Sequence, residues 1–300
     1  MTRQATTFLT LEDVRGQVGQ QVFLTDWVLI SQQRIDLFAE ATEDYQWIHV
    51  NPERAAKSSP FGGTIADGFP TLSLLGSSAD MAQAVVSECA ALGVQAMAVQ
   101  GNVALDTDCV ALVQQAVARW GRLDVLVNSA GATTFVPISN LDGVQAVDFQ
   151  RIFGVNTVGP FQISRAAAKH MAAGAAIVNV SSIAGQTGSG SSLPYAVSKA
   201  ALNALTLGLA RALAPGIRVN AVLPGMIEGR WMRDGLGDEA YQRGKVQFAD
   251  NTLLGRVCTP EHIAGTIGWL LDPDCMMTGQ LVVVDAGFLL GRPASAAGAR

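Results

Sequence analysis

Apolar positions along this chain follow two rhythms. From residue 94 onward, short and nearly continuous apolar runs alternate with longer stretches of helical periodicity. The runs at 94–100 (VQAMAVQ), 124–131 (DVLVNSAG), 175–182 (AAIVNVSS), 217–225 (IRVNAVLPG) and 280–287 (QLVVVDAG) predict strands. Unbroken apolar runs ending in small or polar residues are what parallel strands covered on both faces require. The stretches near 105–120, 144–171, 194–214 and 260–271 predict helices. The last of these opens with Thr259 as N-cap, Pro260 in the first turn and Glu261 behind it. Such alternation predicts an α/β fold, a doubly wound Rossmann-like parallel sheet. In such sheets ligands bind beyond the carboxyl ends of the strands.

Residues 12–76 have a different character. A helix-like run near 31–42 precedes Asp44 and His49. NPERAAK (51–57) predicts a short helix, SPFGG a turn, and TIADGFPTLSLL an apolar helix interrupted at Pro70. Only QVFLTDWVLIS (21–31) reads as a strand there. The stretch 72–83 (LSLLGSSADMAQ) looks like a seam without a flexible linker. The expected organisation is a segment at 1–76, an α/β domain at 77–290 and a disordered tail at 291–300.

Composition narrows the function classes. Of 300 residues, 49% are hydrophobic and 15% charged, enough apolar surface for a large core. The net charge of −5, with no basic patch, argues against a nucleic-acid partner. The cysteines are far apart and form no CxxC pair, which predicts reduced thiols in the cytoplasm. The three histidines lack metal-ligand spacing, so no metal is expected. The first residues lack the apolar core of a signal peptide, and no run of 18 apolar residues predicts a membrane span.

Candidate chemistry gathers at the carboxyl ends of the predicted strands. Tyr195 and Lys199 lie four residues apart, so on a helix they share one face. A phenol there can protonate a carbonyl oxygen as hydride reaches its carbon, or accept the proton in reverse. Lys199 is expected to lower the phenol pKa by its charge and to hold a ribose hydroxyl. Ser182 would hydrogen-bond the same carbonyl oxygen, and Asn156 would hold a water that relays the proton. Taken singly, a Tyr–Lys pair one turn apart is more often a solvated helix face, and Ser-Ser after a strand is more often a turn.

Their combination is more specific. NSAG (128–131), VN (155–156), NVSS (179–182), YAVSK (195–199), RVNAVLPG (218–225) and TGQLVVVDAG (278–287) occur in this order. Over about residues 77–290 the chain resembles the short-chain dehydrogenase/reductase family, especially its 3-oxoacyl-reductase-like members. The resemblance implies a catalytic set of Ser182, Tyr195 and Lys199 supported by Asn156. It implies NADP or NAD held near Asn128, Ala130, Gly131, Tyr195, Lys199, Pro224 and Gly225, with Asn102 and Val103 beside the adenine. It also implies a homo-oligomer, dimer or tetramer, assembled through the helices near 144–171 and 194–214. Gly229 stands where a Thr often touches the nicotinamide amide. The segment 226–244 is expected to cover the site, as it does in the family.

The family's opening strand, Gly-rich turn, helix and second strand have no counterpart in this sequence. In the family's sheet order, 3-2-1-4-5-6-7, the missing strands would lie between 94–100 and 124–131. The sheet is therefore expected to be incomplete at its N-terminal side, with 21–31 as a candidate to patch it. Upstream, FAEATEDYQWIHVNPERA with SPFGGTIADGFPTLSLL resembles the MaoC-like, R-specific enoyl-CoA hydratase family, a hotdog fold. The match places that family's acid–base pair on Asp44 and His49 and implies a partial hotdog-like segment. On spacing alone the plainer reading is a helix-ending Asp and a loop His. Three readings stay open: an oxidoreductase interconverting a ketone and a secondary alcohol, a hydratase of enoyl thioesters, and a catalytically impaired chimera. The first two share an acyl-thioester substrate, because 3-hydroxyacyl thioesters are products of both reactions.

Overall fold

The computed structural model describes residues 79–292. Asp44 and His49, the strand-like run at 21–31 and most of the tail lie outside the described residues. Helix α1 (Ala79–Ala91) comes first. Residues 83–97 group with a separate compact unit, and residues 98–292 belong to the unit that holds the sheet.

That unit carries four parallel strands, β1 (Leu123–Asn128), β2 (Met171–Val180), β3 (Ile217–Pro224) and β4 (Leu281–Val284), adjacent in chain order. Register runs Asn128 to Asn179, Asn179 to Ala221 and Ala221 to Leu281. Helix α2 (Asp106–Trp120) precedes β1, and between the strands lie helices α3 (Ala146–Phe153), α4 (Gly159–Ala168), the one-turn α5 (Ala184–Thr187), α6 (Leu193–Leu213), α7 (Arg230–Leu236), α8 (Asp238–Ala249) and α9 (Pro260–Leu271).

Alternation along the strands explains the layers. Ala176 and Val178 face α9, packing with Ile263, Ile267, Leu270 and Leu271. Ala175 and Ile177 point the other way, against Leu209 and Ala210 of α6. Val113 of α2 and Ile163 of α4 close the same side beside Leu126 of β1. Both faces are covered, as the apolar runs predict. No described helix is long and apolar enough to cross a membrane.

Three expectations need correction. Residues 94–100 form no strand, and no described segment pairs with them. A β-strand exists only through its ladder, and the apolar run alone supplies no partner. Among the described strands β1 is therefore at a sheet edge rather than beside a mid-sheet gap. The single helix expected over 144–171 is broken. Between α3 and α4 the backbone widens into a π-turn at Gly154–Val158, and α4 ends at Ala168 so that β2 starts at Met171. Strand β4 stops at Val284, because the Asp285 carboxylate accepts from the amides of Gly287 and Leu289 and turns the chain.

Candidate active site

The carboxyl ends of β1, β2 and β3 open onto the first turn of α6. Helix α6 starts where it does because Ser192 caps it and Pro194 occupies its first turn. Tyr195 and Lys199 then fall one turn apart on the face turned toward β2, both buried. Ser182, just past β2, hydrogen-bonds the Tyr195 phenol. Its Oγ also accepts from the amide of Ala184, 3.1 Å away, which fixes the hydroxyl at the start of α5. Lys199 Nζ donates to the Val180 carbonyl at 2.8 Å and lies 5.7 Å from the Tyr195 ring centroid. The structure thus brings Ser182, Tyr195 and Lys199 together.

Burial governs their proton affinities. Desolvation pushes the Tyr195 phenol up to about 12, and the hydrogen bond from Ser182 offsets only part of this. Desolvation lowers the Lys199 ammonium to about 8. Burial, rather than the lysine charge expected to lower the phenol, governs its proton affinity. Both groups move toward their neutral forms, because a low-dielectric site penalises either charge.

Asn156 is fully buried in the π-turn, and its side chain is engaged by the protein. Its Oδ1 accepts from Ala132 N at 2.7 Å, and its Nδ2 donates to Ala132 O and Ser198 Oγ, each at 2.9 Å. Thr157 Oγ1 donates to the Ser198 carbonyl. The π-turn therefore locks the loop after β1 to the turn of α6 that carries Tyr195 and Lys199. With both N–H donors engaged, this side chain positions the site, and the water-holding role expected of it gains no support from its contacts.

The expected cofactor residues separate into two groups. Gly131 is exposed near the Trp231 ring, and Lys199 Nζ lies at the end of β2, bonded to Val180 O. Asn128 does not present its amide there. Its Nδ2 donates to Asn179 Oδ1 and Ser164 Oγ within the core. Ala130 packs against the α2–α4 cluster. Pro224 ends β3, its carbonyl accepting from Ile183 N. Gly225 is tightly packed, since a Cβ would lie 3.0 Å from Asp285 Cβ and 3.1 Å from the Phe248 ring. Val103 is buried and its carbonyl accepts from Gln162 and Cys109. Asn102 is exposed, its Oδ1 accepting from Ala104 N.

Several residues of the site are absent from the sequence reading. Ser181 Oγ donates to Asn203 Oδ1 at 2.7 Å and lies 3.2 Å from the Lys199 carbonyl oxygen. Its signal was the paired serine, because alternation at a strand end must send one inward and one outward. Gly185 lets α5 lie on α6. A Cβ there would sit 2.6 Å from the Lys199 carbonyl carbon and 2.7 Å from Ala200 N. Trp231 of α7 meets the Tyr195 ring edge-on, centroids 5.9 Å apart. This bears out the expectation that 226–244 lies over the site.

The family model described as enoyl-(acyl carrier protein) reductase matches residues 71–289. The chain is 35% identical over 217 residues to the 3-oxoacyl-[acyl-carrier-protein] reductase FabG of Staphylococcus aureus, spanning 71% of this chain and 85% of that one. The chain belongs to the short-chain dehydrogenase/reductase family. A solved structure of this fold, a blue fluorescent protein from a metagenomic library in complex with NADPH, superposes with a TM-score of 0.64 at 32% identity. It covers 73% of this short-chain dehydrogenase/reductase and 86% of its own chain. A MaoC-like domain model matches residues 13–121 and overlaps the reductase match. Nodulation protein N of Rhizobium leguminosarum is 60% identical over 67 residues, 22% of this chain and 42% of that one. This chain therefore spans under half of that relative.

Members of this family use NAD(P), and one observation here fits a nicotinamide nucleotide. The buried Lys199 ammonium makes one hydrogen bond, to Val180 O. Its other N–H donors meet no acceptor among the described residues, which suits ribose hydroxyls. No cluster of metal-ligating side chains occurs among the described residues.

Proposed function

We propose that this chain is an NADP- or NAD-dependent oxidoreductase that interconverts a ketone and a secondary alcohol on an acyl thioester, with Ser182, Tyr195 and Lys199 as its catalytic residues. The observation that carries this reading is the Tyr195 phenol, hydrogen-bonded by Ser182 and one turn from the Lys199 ammonium, at the carboxyl edge of a parallel sheet. The similarity to a 3-oxoacyl reductase supports a 3-oxoacyl thioester as substrate. The NADPH in a similar solved structure supports a nicotinamide nucleotide beside Gly131 and Lys199.

Bound there, the nucleotide supplies or takes the hydride. The chain handles the proton and the developing charge. Ser182 hydrogen-bonds the carbonyl oxygen and Tyr195 Oη gives it a proton, so that negative charge never accumulates on it. A phenol held near 12 is protonated at neutral pH, the form that carbonyl reduction needs. Lys199 donates to ribose hydroxyls and favours the phenolate once Tyr195 has lost its proton. Asn156 keeps the loop after β1 in register with α6.

The test is reduction of an acetoacetyl thioester by NADPH or NADH. Tyr195→Phe is expected to lower turnover by about a thousandfold, within the range that positioned acid–base groups contribute. Nucleotide binding should change less than about threefold, because the ring remains. Activity that survives Tyr195→Phe overturns the proposal.

A second reading rests on the MaoC-like match and on the 60% identity to nodulation protein N. There the segment 1–76 would hydrate an enoyl thioester through Asp44 and His49. It predicts the opposite sensitivity, loss with Asp44→Ala and indifference to Tyr195→Phe. Domain bounds of 1–76 and 77–290 belong to this proposal. So does a homo-oligomer, supported by the exposed Phe161 on α4 and Val197 and Leu207 on α6, and tested by sedimentation.

A further inference from the structure

Helix α6 meets β2 in a regular series. Every second residue of the strand faces the helix, at 175, 177 and 179, and the series continues past the strand to 181. Ala175 and Ile177 pack on Leu209 and Ala210. The next two contacts are polar. Asn179 Nδ2 donates to Thr206 Oγ1 at 2.9 Å, and Ser181 Oγ donates to Asn203 Oδ1 at 2.7 Å. All four of these polar residues are buried. Leucine would fill the place of Asn203 at lower cost, since a buried asparagine must be desolvated and is a poor helix former. What the polar pair adds is register. Apolar contacts let a helix slide along a sheet face, whereas a hydrogen bond between two buried side chains admits one arrangement.

That register passes directly to the site. Tyr195, Lys199 and Asn203 lie at successive turns on one face of α6. Three consecutive residues at the end of β2 engage them. Val180 O accepts from Lys199 Nζ at 2.8 Å, Ser181 Oγ holds Asn203, and Ser182 hydrogen-bonds the Tyr195 phenol. Two of these contacts involve groups with work to do on a ligand. In the proposed chemistry Ser182 and Tyr195 share a carbonyl oxygen and Lys199 meets ribose hydroxyls. Only the bond between Ser181 and Asn203 has no ligand to serve, so it alone can hold the strand end still while its neighbours exchange partners.

We infer that Asn203 is a positioning residue. Through Ser181 it fixes the end of β2 on α6, and so sets where the Ser182 hydroxyl stands against the Tyr195 phenol. The catalytic use of that geometry rests on the proposed reductase reading. Misplacement by about 1 Å can lower a rate by about a hundredfold, so a bond remote from the reacting atoms can matter to turnover.

The test uses the full chain with Ser181→Ala, Asn203→Leu and both together. Tyrosine isotopically labelled at Cζ gives one NMR signal for each of the 3 tyrosines. Tyr195→Phe identifies the Tyr195 signal, and Ser182→Ala measures its shift on losing the Ser182 hydrogen bond. Each single variant should move that signal in the Ser182→Ala direction, at least half as far. In reduction of an acetoacetyl thioester, kcat should fall by about tenfold with KM within about twofold. The double variant separates positioning from packing. Replacing both polar partners leaves no buried group unsatisfied, so stability returns toward wild type. The tether stays absent, so the signal and kcat should remain displaced as in the single variants. An unmoved Tyr195 signal, an unchanged kcat in an active enzyme, or a double variant that regains the wild-type signal overturns the inference. If a single variant does not fold, the double variant decides by the same readings. If the wild type reduces no thioester, the reductase reading fails and the Tyr195 signal alone decides: displaced supports the positioning role, and unmoved overturns it.

Discussion

Tyr195 and Lys199 show how far burial outweighs proximity. A lysine one turn from a tyrosine invites the view that its charge acidifies the phenol. Here the ring is desolvated and the ammonium is desolvated with it, so the phenol rises to about 12 and the lysine falls to about 8. The consequence for direction is testable. Alcohol oxidation needs the phenolate, a minority species whose share grows tenfold per pH unit below about 12. Oxidation should therefore accelerate from pH 7 to 8 with a logarithmic slope near one, and less steeply above 8 as Lys199 loses the charge that favours the phenolate, while reduction stays insensitive to the phenol. A flat oxidation profile would place the proton elsewhere. Lys199 makes a second prediction. Its folded value lies below the free value of 10.5, so at pH 7 the protein carries the full cost of burying the ammonium. That cost is relieved as pH rises from about 8 to 10.5. Each tenfold change in proton affinity is about 1.4 kcal/mol, so the cost is roughly 3 kcal/mol. Lys199→Met should raise the melting temperature at pH 7, with a difference that shrinks toward pH 10, while activity is lost.

At the scale of elements, what surrounds α6 matters as much as α6 itself. Its second turn, at Ser198–Ala200, is gripped by the π-turn through Asn156 and Thr157, by Ser181, and by the close approach of α5 at Gly185. Gly185→Ala would press a methyl into the backbone at Lys199 and Ala200, which cannot yield as a side-chain tip would. A cost of about 1–3 kcal/mol is expected, read by denaturant melts, together with a fall in activity as Lys199 shifts. Asn156→Ala should cost more in activity than its distance from the phenol suggests, because the half-buried amide and carbonyl of Ala132 lose their partner. The helices over 105–120, 194–214 and 260–271 were legible, since apolar spacing and capping residues specify them locally. Their details were less so. At the start of α9, Thr259 N donates to His262 Nδ1, a cap partner that reading Glu261 alone overlooks. The π-turn was not read from the apolar pattern over 144–171; it lies in the backbone hydrogen bonding at Gly154–Val158.

At the scale of the whole molecule, the four described strands expose the consequence of the missing family opening. Ser182, Tyr195 and Lys199 come together within residues 98–292, whereas the sequence shows no Gly-rich turn of the family's kind upstream. Titration with NADPH and NADH tests the assembled chain. Micromolar binding is expected if the segment upstream completes the cradle, and it should raise the melting temperature, since a ligand at a hundredfold its Kd stabilises by about 2.7 kcal/mol. No binding up to millimolar nucleotide would mark Ser182, Tyr195 and Lys199 as a relic of the family's chemistry.

The sequence by itself determined the parallel α/β class, the order of the four strands and of the helices over 105–120, 194–214 and 260–271, and the choice of Ser182, Tyr195 and Lys199 as the candidate set. Continuous apolar runs, helix caps and the one-turn spacing of Tyr195 and Lys199 are local properties, written within a few residues of each other. Tertiary structure alone decided the rest. It turned Asn128 into the core, committed both ends of the Asn156 amide to the protein, denied 94–100 a ladder among the described strands and laid Trp231 against Tyr195. Each of these depends on a partner far away in the chain. A side chain's hydrogen bonds, a strand's pairing and a phenol's proton affinity are set by what surrounds them in space, and no local pattern carries that information.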